Sequence, residues 1–263
     1  MLEDNFLTLI IFLMAGTAAI YRISFFRKKT IGYFHLLQII YLIIIPGIGL
    51  TLIFSYLASI LKRPLISPPI MPDGLIFSFL IPAMFFTYGG IAIHSVTKML
   101  WEYMKKDEND KAYRMNRFFH LTFSHNLIYS GGFLATLGLT LLELNRVPLE
   151  NHTNQLFAIV RSIIMGTTLV IGVFWYNPYG RISRWSDLKT FFLVVWAGFL
   201  LLLYAIKKVS PDIQDYQLLL PALLASSLIA ALNLFLVFKR LRRGGFRIYF
   251  RLGQLKRKLL EVV

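Results

Sequence analysis

Cysteine is absent from the 263 residues, which excludes disulfides, thiolate metal sites and cysteine nucleophiles. Acidic residues are scarce as well: 13 Asp and Glu stand against 28 Lys and Arg, a formal net charge of +15. Only 16% of the residues are charged, where a water-soluble domain carries about a quarter. No Asp or Glu falls in the middle of an apolar run, which argues against a carboxylate-driven proton or sodium pathway. Gly-x-Ser-x-Gly, P-loop and His-Glu-x-x-His patterns are missing, and the last apolar run has no lysine for a retinal Schiff base. The first five residues, Met1-Leu2-Glu3-Asp4-Asn5, lack the basic region of a cleavable signal peptide. The first apolar run is therefore expected to be a mature helix.

What the chain has in abundance is apolar length, with 57% hydrophobic residues. A helix crossing about 30 Å of hydrocarbon needs about 20 mostly apolar residues. Seven stretches qualify: 5–23, 31–61, 75–98, 118–142, 155–176, 190–206 and 217–238. They lack the alternation of barrel strands, and backbone polar groups must be satisfied inside lipid, so helices are expected. The second run is long and carries Pro46-Gly47 and Gly49 at its middle, which reads as one kinked or tilted helix. The expected fold is an all-α membrane protein. Residues 1–238 would form a seven-helix transmembrane bundle and 239–263 a basic amphipathic cytoplasmic tail.

Charge sets the orientation. With the N-terminus outside, the inner segments and helix ends hold 22 of the 28 Lys and Arg, the outer ones five, and Arg161 lies within a span. That asymmetry follows the positive-inside rule, while the acidic residues divide almost evenly. Trp101, Trp175 and Trp185, with Tyr33, Tyr103 and Tyr179, fall near the inner ends of spans as an interfacial aromatic belt. A sequence pI near 10.1 is compatible with nucleic-acid binding, but topology distributes these charges and no recognition module is visible. Anionic lipid at the cytoplasmic face is the expected partner. A membrane protein partner or a homodimer also remains open, since small residues recur at Ala15 and Ala19, at Gly131 and Ala135, and at Ala222, Ser226 and Ala230.

Ionisable groups within spans are costly and hence candidates for chemistry. Arg161 lies about two turns into the fifth span, with Glu143 or Glu150 as its expected ion-pair partner. His35, His94, His120 and His125 fall at one depth on three spans, near the cytoplasmic boundary. They could ligate a b-type haem, with Gly89-Gly90 and Gly131-Gly132 leaving room for the macrocycle and Arg114 or Arg117 meeting the propionates. Against this, an α-helix sets His120 and His125 about 140° apart, so both cannot face one ion. Ordinary interfacial or core histidines, with no cofactor and no metal, are the favoured reading.

Two surface features complete the pattern. Asn151-His152-Thr153 matches a glycosylation sequon in an expected outer loop. The tail repeats Leu241, Gly245, Ile248, Leu252, Leu255, Leu259 and Val262 between basic residues, an amphipathic helix suited to the inner leaflet. The functional expectation is a non-enzymatic sensing, assembly or accessory subunit in a bacterial-type cytoplasmic membrane. A b-haem electron carrier and a transporter subunit using the kinked second and third spans stay as alternatives.

Overall fold

A computed structural model of the chain describes residues 2–104, 107, 109–148, 156, 157, 159–164 and 185–205, with scattered positions from 216 to 235. The architecture is mostly helical. Helix α1 (Leu2–Arg22) is followed by the short α2 (Ser24–Lys28) and a small antiparallel hairpin. Its strands β1 (Thr30–Ile31) and β2 (Phe34–His35) pair Thr30 with His35 and Ile31 with Phe34. Gly32 makes the tight turn with φ of 60°, a left-handed value that a residue without Cβ adopts freely. Three long helices come next: α3 (Leu36–Leu61), α4 (Asp73–Tyr103) and α5 (Lys111–Leu144), and then α6 (Trp185–Ala205).

Among the described residues, three helices are long and apolar enough to cross a membrane: Leu36–Leu61, Asp73–Trp101 and Lys111–Leu144. The seven-span expectation is therefore shown in its helical, membrane-compatible character. The expected fifth span is described only in part, and most of the seventh, with the whole tail from residue 239, lies outside the described residues. Boundaries shift in one instructive place. The second apolar run was expected to be helical from residue 31, but residues 30–35 form the hairpin and the helix starts at Leu36. Gly32 and the β-branched Thr30 and Ile31 favour the turn and its strands over a helical start.

Both α3 and α5 contain a π-turn, a local i→i+5 stretch inside the α-helix. In α3 it covers Ile40–Ile44, where the Ile45 N–H bonds the Ile40 carbonyl. Pro46 follows at once. Its ring nitrogen cannot donate to the residue four earlier, so the ladder must be disturbed here, and the π-turn absorbs that disturbance without ending the helix. From Leu36 to Leu61 the second run is thus one continuous helix, with no re-entrant break between those residues.

Helices α4 and α5 form the antiparallel centre of the bundle, packed along glycines. A Cβ on Gly131 would lie 2.5 Å from the Ala83 carbonyl oxygen and 2.7 Å from the Thr87 nitrogen. Gly90 meets the Ile128 backbone nitrogen in the same way, at 2.8 Å, so backbones approach closely where side chains are missing, while Gly138 makes room for the Leu80 and Phe79 side chains. Around this pair Leu7, Tyr56, Leu57, Ile60, Ile76, Leu80, Leu139 and Leu142 close one buried cluster. Trp196, Leu200 and Leu203 of α6 close another with Leu144, Tyr216 and Leu219. The outer flanks stay apolar and exposed at Phe12, Ile43, Phe54, Phe85 and Leu202, as a surface facing lipid requires.

Candidate functional site

Two buried polar clusters sit at opposite ends of the α4–α5 pair. The first is built by the second π-turn, Phe119–Phe123, in which the Ser124 N–H bonds the Phe119 carbonyl. The His120 carbonyl thereby loses the donor that an unbroken α-helix would supply. It accepts instead from the Ser124 hydroxyl at 2.6 Å and faces His94 Nδ1 at 3.4 Å. One backbone irregularity so creates an acceptor for a histidine on the neighbouring helix.

The same turn brings His120 and His125 nearer to one side of α5 than the roughly 140° of a regular α-helix would set them. An inserted residue advances the helix by roughly one position, so residues five apart come onto one side. The His94 ring stacks on His120 with centroids 4.4 Å apart and 22° between planes, and lies 4.8 Å from His125. His120 and His125 are 6.4 Å apart, Trp101 lies 6.0 Å from His120, and Tyr113 packs on Trp101 at 5.0 Å. His35 joins none of these ring contacts; it ends β2, and its backbone N–H bonds Gln38 Oε1 at 2.9 Å.

Hydrogen bonding fixes how the three rings present themselves. Nδ1 of His94 faces the His120 carbonyl and Nδ1 of His125 donates to the Leu121 carbonyl at 3.0 Å. Thr97 gives its hydroxyl proton to the Ile93 carbonyl at 2.6 Å, so His120 Nδ1 at 3.3 Å donates to the Thr97 oxygen. In this arrangement Nδ1 of each ring carries a proton. Asn116 ties the Thr97 carbonyl at 3.1 Å and completes the network.

The His94 and His120 rings, stacked at 4.4 Å, leave no gap for a macrocycle between them; Gly90 and Gly131 are taken up by helix-to-helix contact, while Gly89 and Gly132 have nothing within 4 Å. Among the described residues, no three His, Asp or Glu side chains are grouped to hold a metal ion.

The second cluster joins the end of α5 to the proline-rich loop between α3 and α4. Glu143 is fully buried; it accepts from the Leu218 N–H at 2.9 Å and the Tyr56 hydroxyl at 3.4 Å, with Arg63 at 3.8 Å. Asn145, equally buried, donates to the Met71 carbonyl at 2.6 Å and to Asp73 Oδ1 at 2.9 Å, and accepts from the Ile70 N–H at 2.9 Å. Arg146 pairs with Asp73 through a short charge-assisted bond. Backbone bonds from Ile66 to Asn145 and from Val147 to Pro64 stitch the loop to the helix end. Arg161, the other member of the expected ion pair, is buried and lies over the Phe157 ring at 5.8 Å.

No family model, curated protein or solved structure matches this chain. Its function has to be read from these clusters.

Of the sequence candidates, the structure brings His94, His120 and His125 together and leaves His35 apart. It adds Asp73, Asn145, Arg146, Tyr56 and Arg63 around Glu143. A signal for the second group was present: Glu143-Leu144-Asn145-Arg146 ends an apolar run just where a charged, proline-rich loop must be closed. Thr97, Asn116 and Ser124, which hold the histidine end together, carry no comparable mark.

Proposed function

We propose that the chain is a multi-pass membrane protein that acts as a sensing, assembly or accessory subunit without catalysis of its own. In this reading seven helices cross the membrane, the N-terminus lies outside and the basic tail lies on the cytoplasmic face. The observation that carries it is how the buried polar groups are used. The hydrogen bonds and ring contacts of the histidine stack and of the Glu143–Asn145–Arg146 cluster run from helix to helix or from helix to loop. A bundle locked at both ends in this way is suited to present faces to lipid and to other subunits. The exposed apolar flanks and the charge asymmetry of the sequence support the same reading.

Two measurements on protein purified in mild detergent test it. A stoichiometric membrane polypeptide should remain bound, and the visible spectrum should lack a Soret band after haem supplementation. A one-to-one Soret band lost on substituting His94 would overturn the reading in favour of electron transfer. Substrate flux through the purified protein alone in vesicles would overturn it in favour of a transporter.

A further inference from the structure

A depression on the basic part of α5 belongs to neither cluster. It is open, holds about 210 Å³, and is lined by Arg114, Arg117, Phe118 and Thr122. Arg114 shares a helix face with Arg117 and Phe118, three and four residues on. Thr122 lies five residues beyond Arg117, which a regular α-helix would place far round the cylinder. The π-turn at Phe119–Phe123 closes that gap, so the inserted residue that gathers the histidines also carries Thr122 to the two arginines.

Among the described residues the lining has a definite chemistry: two guanidinium forks, one hydroxyl and one aromatic ring. Arginine forks match the oxygens of a phosphate, and a hydroxyl supplies a further donor. The position is equally definite. Arg114 and Arg117 occupy the first turns of a 34-residue apolar helix, and exposed Phe118 and Phe123 mark where its apolar surface begins. For a helix that spans a bilayer, this is the level of lipid phosphates.

We propose that this depression binds the phosphate of an anionic phospholipid. Arg114 and Arg117 fork its oxygens, Thr122 donates its hydroxyl, and Phe118 lies against the start of the acyl chains. The site rests on α5 crossing the membrane, the reading given above.

Native mass spectrometry of the full-length protein, titrated with phosphatidylglycerol or phosphatidylcholine, tests the site. Wild type should retain phosphatidylglycerol in preference to phosphatidylcholine. Arg114→Gln/Arg117→Gln should reduce that preference about tenfold and Thr122→Val by a few-fold, while Lys28→Gln/Lys29→Gln should leave it in place. An unchanged preference in the double-arginine variant overturns the site, as does an equal loss in the double-lysine variant. Displacement by millimolar inorganic phosphate would point to a free anion and would also overturn it. Carbonate extraction of the same membranes separates the two levels. If wild type is stripped off, the spanning reading falls and the site with it; if the protein stays without an arginine-dependent preference, the site alone is wrong.

Discussion

Glu143 has no exposure to solvent, and its carboxylate serves a backbone N–H, a tyrosine hydroxyl and an arginine at once. Glu143→Ala would leave the Leu218 N–H and the Arg63 guanidinium without this acceptor, at a cost of about 3–5 kcal/mol. Glu143→Gln keeps an acceptor for Leu218 and should cost about 1–3 kcal/mol. Thermal unfolding in detergent should rank wild type above Gln and Gln above Ala, and equal midpoints for the two variants would refute the role given to the charge. Among the histidines, His120→Ala removes the stacked ring and the bond to Thr97, a loss of about 1–3 kcal/mol. His35→Gln, outside the stack, should lower the midpoint much less; a larger fall at His35 than at His120 would contradict the placement. That His94, His120 and His125 fall toward the same end of α4 and α5 was legible in the sequence, because apolar runs set where those helices begin and end. Their contact was not, since it depends on one bond, from the Ser124 N–H to the Phe119 carbonyl, that side-chain periodicity does not encode.

The helices show the same division between what pattern specifies and what packing decides. Apolar length placed α3, α4 and α5, and Asp110, whose carboxylate accepts from the Ala112 N–H at 3.0 Å, caps the start of α5 several residues before its apolar run. The hairpin at 30–35 was not legible from apolar length because Ile31, Tyr33 and Phe34 lead into the span with no Lys, Arg, Asp or Glu to mark a boundary. The small-residue pattern pointed to Gly131, and the structure shows what it touches: the backbone of α4 at Ala83 and Thr87. A methyl group at Gly131 meets backbone atoms that have no rotamer to yield, so Gly131→Ala should destabilise by about 1–3 kcal/mol. The adjacent Gly132 has nothing within 4 Å, and Gly132→Ala should be neutral or stabilise by about 0.5–1 kcal/mol through helix propensity. Opposite effects from neighbouring glycines, read as shifts in unfolding midpoint, are expected; equal effects would mean that α4 and α5 do not meet along this line.

For the molecule as a whole, apolar surface on the outside and fixed polar clusters at both ends of the central pair describe a bundle built for a bilayer. The proposed topology puts the proline-rich loop and the loop between α4 and α5 on opposite sides of it. Asp73 is unsuited as a labelling position because it holds Arg146 and Asn145, whereas Ser67 and Asn109 are both exposed. The native chain has no cysteine, so single substitutions give an uncluttered background. The most direct test is therefore labelling of Ser67→Cys and Asn109→Cys in intact cells with a membrane-impermeant thiol reagent. Ser67→Cys should label at once and Asn109→Cys only after the membrane is permeabilised; labelling of Asn109→Cys in intact cells would contradict the orientation, and labelling of both would contradict the crossing of α4 itself.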